Sequence, residues 1–210
     1  MSEAGTNKPV VAAFDFDGTL TRRDTLFPFL RHVLGDAQVA RAAFMLSPTL
    51  AAYALGAINN GIAKERVFMR CLGGMRADDF RQAAEDFANY VLPGLLHHEA
   101  MQRFDWHRRQ GHRCVVISAS LDAYVRPWAE RAGFDDVIAT HLETLDSGHI
   151  SGKLSGANCF GSEKVRRLQA LLGVRDGYTL YAYGDSRGDR ELLSSADYAY
   201  YRKMPEPGNE

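Results

Sequence analysis

Apolar residues recur along this chain in two rhythms. The run Pro9 to Phe16 (PVVAAFDF) is continuous, β-branched at Val10 and Val11, and apolar on both faces. That pattern predicts a central strand of a parallel sheet. From Thr25 to Tyr90 the rhythm is helical: Leu26, Phe29, Leu30, Val33 and Leu34 share one face, Val67, Phe68, Cys71 and Leu72 a second, and Phe80, Ala84, Phe87 and Val91 a third. LPGL, Leu92–Leu95, punctuates this block. Beyond it a helix runs to about Gly111, followed by strand RCVVIS (Arg113–Ser118), a helix from Leu121 to about Ala132 and strand DDVIAT. HLETLDSGHISGKL predicts a hairpin turning at Asp146–Gly148. A helix over Ser162–Leu172 closes at Gly173, then come strand Tyr178–Gly184, a short helix around Arg190–Ser195, a last strand YAYY and a frayed tail, MPEPGNE.

Strands alternate with helices everywhere except in the first helical block. The fold expected is therefore α/β, a doubly wound parallel sheet with an all-helical insertion after the first strand. Residues 1–24 and 93–210 form the expected core, and 25–92 the insertion. Val39–Ile58 is about as long as a membrane span, which needs ~20 apolar residues. It carries Arg41, Ser47, Pro48 and Thr49 and is rich in alanine. A helical hairpin or a kinked buried helix is expected there in preference to a spanning one, with a surface-seeking amphipathic role left open.

Composition narrows the function class. The 210 residues are 46% hydrophobic and 24% charged, with a formal net charge of -1, so no basic field points to nucleic acid and no acidic excess to disorder. Cys71, Cys114 and Cys159 are odd in number and include no C-x-x-C pair. Reduced thiols in a cytoplasmic setting are expected, with neither a disulfide framework nor a zinc site. MSEAGTNKP has no apolar run, so no signal peptide is expected.

The candidate chemistry begins where the first strand ends. Asp15 and Asp17 close an apolar run, and an ionised carboxylate is costly to bury without compensation. Alternation on a strand lets the two share a side. Gly18 lets the backbone turn, and Thr19 offers a hydroxyl and an N–H. Strand RCVVIS ends at Ser118, leading into Ala119 and a helix N-terminus suited to an anion. Strand YTLYAYG ends in GDSRGD, which carries Asp185 and Asp189, and Lys164 opens the helix SEKVRRLQALL. In open α/β sheets ligands bind off the carboxyl ends of strands. Clustered carboxylates repel one another unless a hard cation such as Mg²⁺ neutralises them. With the cation and Lys164 balancing charge, Ser118 and nearby backbone N–H groups can hold a phosphate while one aspartate attacks it and the other moves protons. A phosphoacceptor module without hydrolytic activity uses similar residues and stays open as a reading.

The order D-x-D-G-T, strand-end Ser, helix-borne Lys and G-D-x-x-x-D resembles the haloacid dehalogenase superfamily of phosphohydrolases. The helical block resembles the small cap of its phosphoserine phosphatase-like branch. The resemblance implies that Asp15 is the nucleophile and a metal ligand. It implies that Asp17 is the general acid/base and lends its carbonyl to Mg²⁺. Ser118, Ala119 and Lys164, with Gly18 and Thr19, hold the phosphoryl group by the same resemblance. Asp185 ligates the metal, and Asp189 is a further ligand or supports the site from behind. Asp24 stands where that branch has a Glu that reads the substrate's amino group. Arg66, with Arg70 as fallback, is the expected cap residue for a substrate carboxylate. The implied partner is a small phosphorylated metabolite such as phosphoserine or histidinol phosphate. DGTLTRRDTLFPFLRHVLG and CFGSEKVRRLQALLG are also similar to phosphatidylglycerophosphatase C-type sequences, which makes a lipid phosphate the alternative and membrane contact through 39–58 a less favoured expectation.

Overall fold

The computed structural model describes residues 8–205. The expectations for the first seven residues and for the end of the MPEPGNE tail lie outside them. β1 (Val10–Phe14) is the middle of a five-stranded parallel sheet in the order β3–β2–β1–β6–β7, with β2 at Arg113–Leu121, β3 at Asp136–Thr140, β6 at Thr179–Gly184 and β7 at Tyr198–Tyr201. The chain leaves β1 with β2 on one side and β6 on the other, which creates a switch point at the carboxyl edge.

The period of two along β1 divides the interior. Ala12 and Phe14 pack with Val116, Tyr183 and Phe104 on one face of the sheet. Val11 and Ala13 pack with Val115, Ile117, Leu180 and Leu168 on the other. Helices cover both faces. α5 (His98–Arg109) and α6 (Asp122–Ala132) lie on the Phe14 side, and α7 (Ser162–Leu172) and α8 (Arg190–Ser194) on the Ala13 side. Full burial of a large apolar side chain contributes about 1.5–3 kcal/mol, so the continuous apolar run of β1 is what commits it to the centre.

Between β1 and α5 lie the inserted helices α1 (Leu26–Leu34), α2 (Asp36–Ala54), α3 (Asn60–Cys71) and α4 (Ala77–Asp86). Their inward faces, among them Phe29, Phe68 and Phe80, join the Phe14-side core around Tyr124, together with Phe87 in the turn just after α4. A hairpin from the far half of the chain, β4 (Leu142–Thr144) with β5 (Ile150–Leu154), packs on this block. Ile150 N–H donates to Met75 O (2.8 Å), and Gly74 N–H returns a bond to Ile150 O (2.8 Å). Gly152, at φ +83, lies against the backbone of Met69, where any Cβ would collide.

The structure corrects the expectation for Val39–Ile58. α2 is one helix that contains Pro48 and is not a hairpin, and only Val39 and Ala42 within it are buried. Phe44, Met45, Leu50 and Tyr53 are exposed at points all around it. The apolar residues are too evenly spread around the helix to define one buried stripe, so the helix lies on the surface. Among the described residues no helix is long and apolar enough to cross a membrane.

Candidate active site

Asp15 follows the last residue of β1 and continues the Val11–Ala13 parity, toward the face that α7 covers. Lys164, in the first turn of α7, is 2% exposed and meets it: Nζ donates to Asp15 Oδ1 at 2.5 Å and to Asp189 Oδ1 at 2.6 Å. Asp189 is wholly buried. Its other oxygen accepts from Ser186 N–H (3.0 Å) and Ser186 Oγ (2.8 Å), closing a reciprocal capping box in the turn after β6.

After Asp15 the backbone enters a five-residue turn, Phe16–Leu20, closed by Thr21 N–H to Phe16 O at 2.9 Å. Gly18 takes φ +78 in it. The Asp185 carboxylate occupies the space a Cβ on Gly18 would need, so glycine is required twice over, for the conformation and for the approach. Asp17 is turned toward α1 and β2. Its Oδ1 accepts from Thr25 N–H (2.8 Å) and Thr25 Oγ1 (2.6 Å), and its Oδ2 from Ser120 Oγ. The Thr25 hydroxyl also meets that of Tyr124 at 3.0 Å. Ser118 is buried at the end of the straight part of β2, with Oγ accepting from Ser120 N–H at 2.9 Å.

Burial dominates the electrostatics. It pushes the Asp15 carboxyl up to about 7, with Lys164 pulling down and Asp189 pushing further up. Asp17 is raised by burial and by Asp24, against the donors Ser120 and Thr25. Asp185 is raised by burial and by Asp189. Burial alone would lower Lys164, but Asp15 and Asp189 outweigh it and hold the ammonium above its usual range. One ammonium thus faces three carboxylates. The ligand atoms of Asp15, Asp185 and Asp189 lie within 4.8 Å of one another. Asp185 Oδ1 is buried with no hydrogen-bond partner. An orphaned buried carboxylate oxygen beside excess negative charge is the environment a hard divalent cation satisfies.

The pocket above these groups has a volume of about 430 Å³. Asp15, Asp17, Gly18, Asp24, Ser118, Ala119, Lys164 and Asp185 all line it. Thr19 is buried and does not line it, and Asp189 lies beneath its floor. Asp24 uses Oδ1 to accept from Leu26 N–H (2.8 Å) at the start of α1.

Arg66 does not reach the pocket, because it lies on the exposed side of α3. Two residues along a helix turn the side chain by about 200°, so Lys64 faces in where Arg66 faces out. Lys64 Nζ donates to Ala119 O at 2.8 Å. Burial lowers its pKa, and Asp17 and Asp24 partly restore it. Arg70 is also exposed and outside the pocket. Thr25, Ser120, Tyr124 and Lys64 were not singled out from sequence. Only Ser120 had a local signal, as the second serine of SAS at a strand end.

Residues 12–194 match a family model described as haloacid dehalogenase-like hydrolase. Protein CicA of Caulobacter vibrioides is 37% identical over 196 residues, covering 93% of this chain and 87% of that one. A crystal structure of a protein with unknown function from Bordetella pertussis Tohama I superposes with a TM-score of 0.77 at 25% identity, covering 90% of this chain and 87% of that one. A phospho-aspartyl intermediate analogue of phosphoserine phosphatase shares the fold, with a TM-score of 0.62 at 19% identity over 90% of this chain and 84% of that one.

Proposed function

Because the chain belongs to the haloacid dehalogenase-like hydrolase family, we propose that it is a Mg²⁺-dependent phosphomonoesterase working through an aspartyl phosphate on Asp15. The observation that carries the reading is the meeting of Asp15, Lys164 and Asp189 at 2.5 and 2.6 Å, with Asp185 and Ser118 on the same rim.

Asp15 and Asp185 are the side chains that would hold the cation, with Asp189, bonded to Lys164 and Ser186, as a further ligand or a support from beneath, and with the Asp17 carbonyl added by family resemblance. Mg²⁺ bound there supplies charge neutralisation and Lewis acidity toward phosphoryl oxygens. The chain's own groups do the rest. The Ser118 hydroxyl and the Lys164 ammonium donate to the phosphoryl oxygens and keep them in line with Asp15. An Asp15 carboxylate oxygen forms a bond to phosphorus as the ester P–O bond breaks, and Asp17 protonates the departing oxygen. Asp17 then takes a proton from water as that water attacks phosphorus, the Asp15–P bond breaks, and orthophosphate leaves. Thr25 and Ser120 hold the Asp17 carboxyl for both transfers. The substrate is a small phosphorylated metabolite, in keeping with the phosphoserine phosphatase neighbour in fold.

The test is turnover of p-nitrophenyl phosphate with Mg²⁺ added. Wild-type protein turns over, a chelator stops it and Mg²⁺ restores it. Asp15→Asn lowers kcat by about 10³-fold or more while circular dichroism stays native. Full activity in chelator, or in Asp15→Asn, rejects the reading.

A further inference from the structure

The catalytic pocket continues into a larger groove. Tyr53, Asn60, Phe160 and Ser186 line both, and the groove has a volume of about 800 Å³. The end of α2 and the segment after it form one wall. The Ser186–Glu191 turn and Tyr201–Arg202 form the other.

The charges in this groove are unequal. Arg187, Arg190 and Arg202 line it against one acid, Glu191. Arg202 is engaged, donating through Nε to Asp185 O (2.8 Å) and lying over the Tyr201 ring. Arg187 and Arg190 are exposed, and among the described residues neither pairs with a carboxylate. Neither lines the pocket around Asp15, so neither holds the transferred phosphoryl group. Lys64 lines the catalytic pocket alone, where it bonds to the Ala119 carbonyl and faces Asp17 and Asp24. Guanidinium forks match carboxylate and phosphate oxygens in pairs, and an ammonium in their place would be repelled.

We infer that the groove selects phosphomonoesters whose leaving group carries a second anionic group, a phosphate, phosphodiester or carboxylate, recognised by Arg187 and Arg190. This rests on the phosphomonoesterase reading above and narrows its substrate class. Histidinol phosphate, which has no second anionic group, falls outside that class.

The experiment compares hexane-1,6-diol bisphosphate with 6-hydroxyhexyl phosphate, which has the same chain without the second anion. Wild-type kcat/KM favours the bisphosphate by about tenfold after the statistical factor for two equal ends, the size expected of one charged hydrogen-bonded contact. Arg187→Gln with Arg190→Gln removes the preference through KM, and about 0.5 M salt shrinks it, because exposed charges are screened. Equal kcat/KM for the two esters in wild-type protein, or a preference that survives the double substitution, overturns the assignment while p-nitrophenyl phosphate turnover still upholds the phosphatase. Absence of all turnover overturns both. A second pair, phosphatidylglycerophosphate in mixed micelles and its deacylated head group, separates the sources of the anion. Higher kcat/KM for the micellar form assigns a lipid, and equal values assign a soluble metabolite. In each case the assignment requires loss in the double variant, and retention there overturns it.

Discussion

Gly18 and Asp185 share one volume: the carboxylate of the second stands where a Cβ on the first would be. Gly18→Ala is therefore expected to do more than strain a left-handed residue, which costs about 1–3 kcal/mol. It displaces Asp185 from the carboxylate cluster. The measurable result is a raised Mg²⁺ requirement, read as the Mg²⁺ concentration for half-maximal turnover, together with a modest fall in stability in urea. An unchanged Mg²⁺ requirement would show that Asp185 does not depend on this contact.

Asp17 separates a hydrolase from a phosphate store. General acid/base groups contribute about 10²–10⁴-fold, so Asp17→Asn is expected to slow turnover by that order. Asparagine keeps the Thr25 contacts but cannot take a proton from water. With a good leaving group such as p-nitrophenolate, the phosphoenzyme should accumulate and be detectable by intact mass. Wild-type turnover in this variant would remove Asp17 from the chemistry.

Lys164 is the cation that holds two buried carboxylates together. Removing one partner of a buried pair is expected to cost about 3–5 kcal/mol, because it leaves the other charge unpaired. Lys164→Met in chelator-treated protein should show a loss of that order in denaturant titrations. Added Mg²⁺ should recover part of the stability and none of the activity. A variant as stable as wild type in chelator would mean that the carboxylates are neutral without the ammonium.

A separate titration lies behind the sheet. His107 is fully buried, bonded to His112 Nδ1 (2.7 Å) and to the Tyr183 hydroxyl (2.8 Å). Burial, then Arg103 and His112, lowers its pKa to about 3. Between the unfolded value near 6.5 and that folded value, the unfolded chain binds one more proton, so stability falls as pH falls through this window. The slope from His107 is at most about 1.4 kcal/mol per pH unit. His107→Gln should flatten the dependence of unfolding free energy on pH between about 4.5 and 6.5. The raised carboxylates Asp15, Asp17 and Asp185 act with opposite sign in both proteins and cancel in the difference. Equal slopes would show that His107 charges in the folded state.

Reading the chain alone located the core because the chemistry sits at strand ends that announce themselves. β1 is apolar on both faces and stops at an acid, and β6 stops at GDSRGD. Lys164 was legible because it opens the helix SEKVRRLQALL just ahead of the strand that ends in GDSRGD, whereas the face which that helix covers had to come from the structure. The inserted helices gave no such marker. Lys64 and Arg66 are both polar residues on one helix, and choosing between them needs its rotation about its axis, which is set by tertiary packing against β5. Thr25 was invisible because its role depends on where the turn after Gly18 delivers the chain. Val39–Ile58 misled because alanine counts as apolar in a run yet has little area to bury.

The bonds between Met75 and Ile150, and the close approach of Gly152 to Met69, fasten the inserted helices to a hairpin some eighty residues further along the chain. Anyone wishing to swap these helices for a relative's cannot cut only at the two seams that flank them. The transplanted helices would meet a ribbon shaped to the backbone of Met69 and Met75 and not to their own. Two stretches, distant in the gene, must be exchanged as one part.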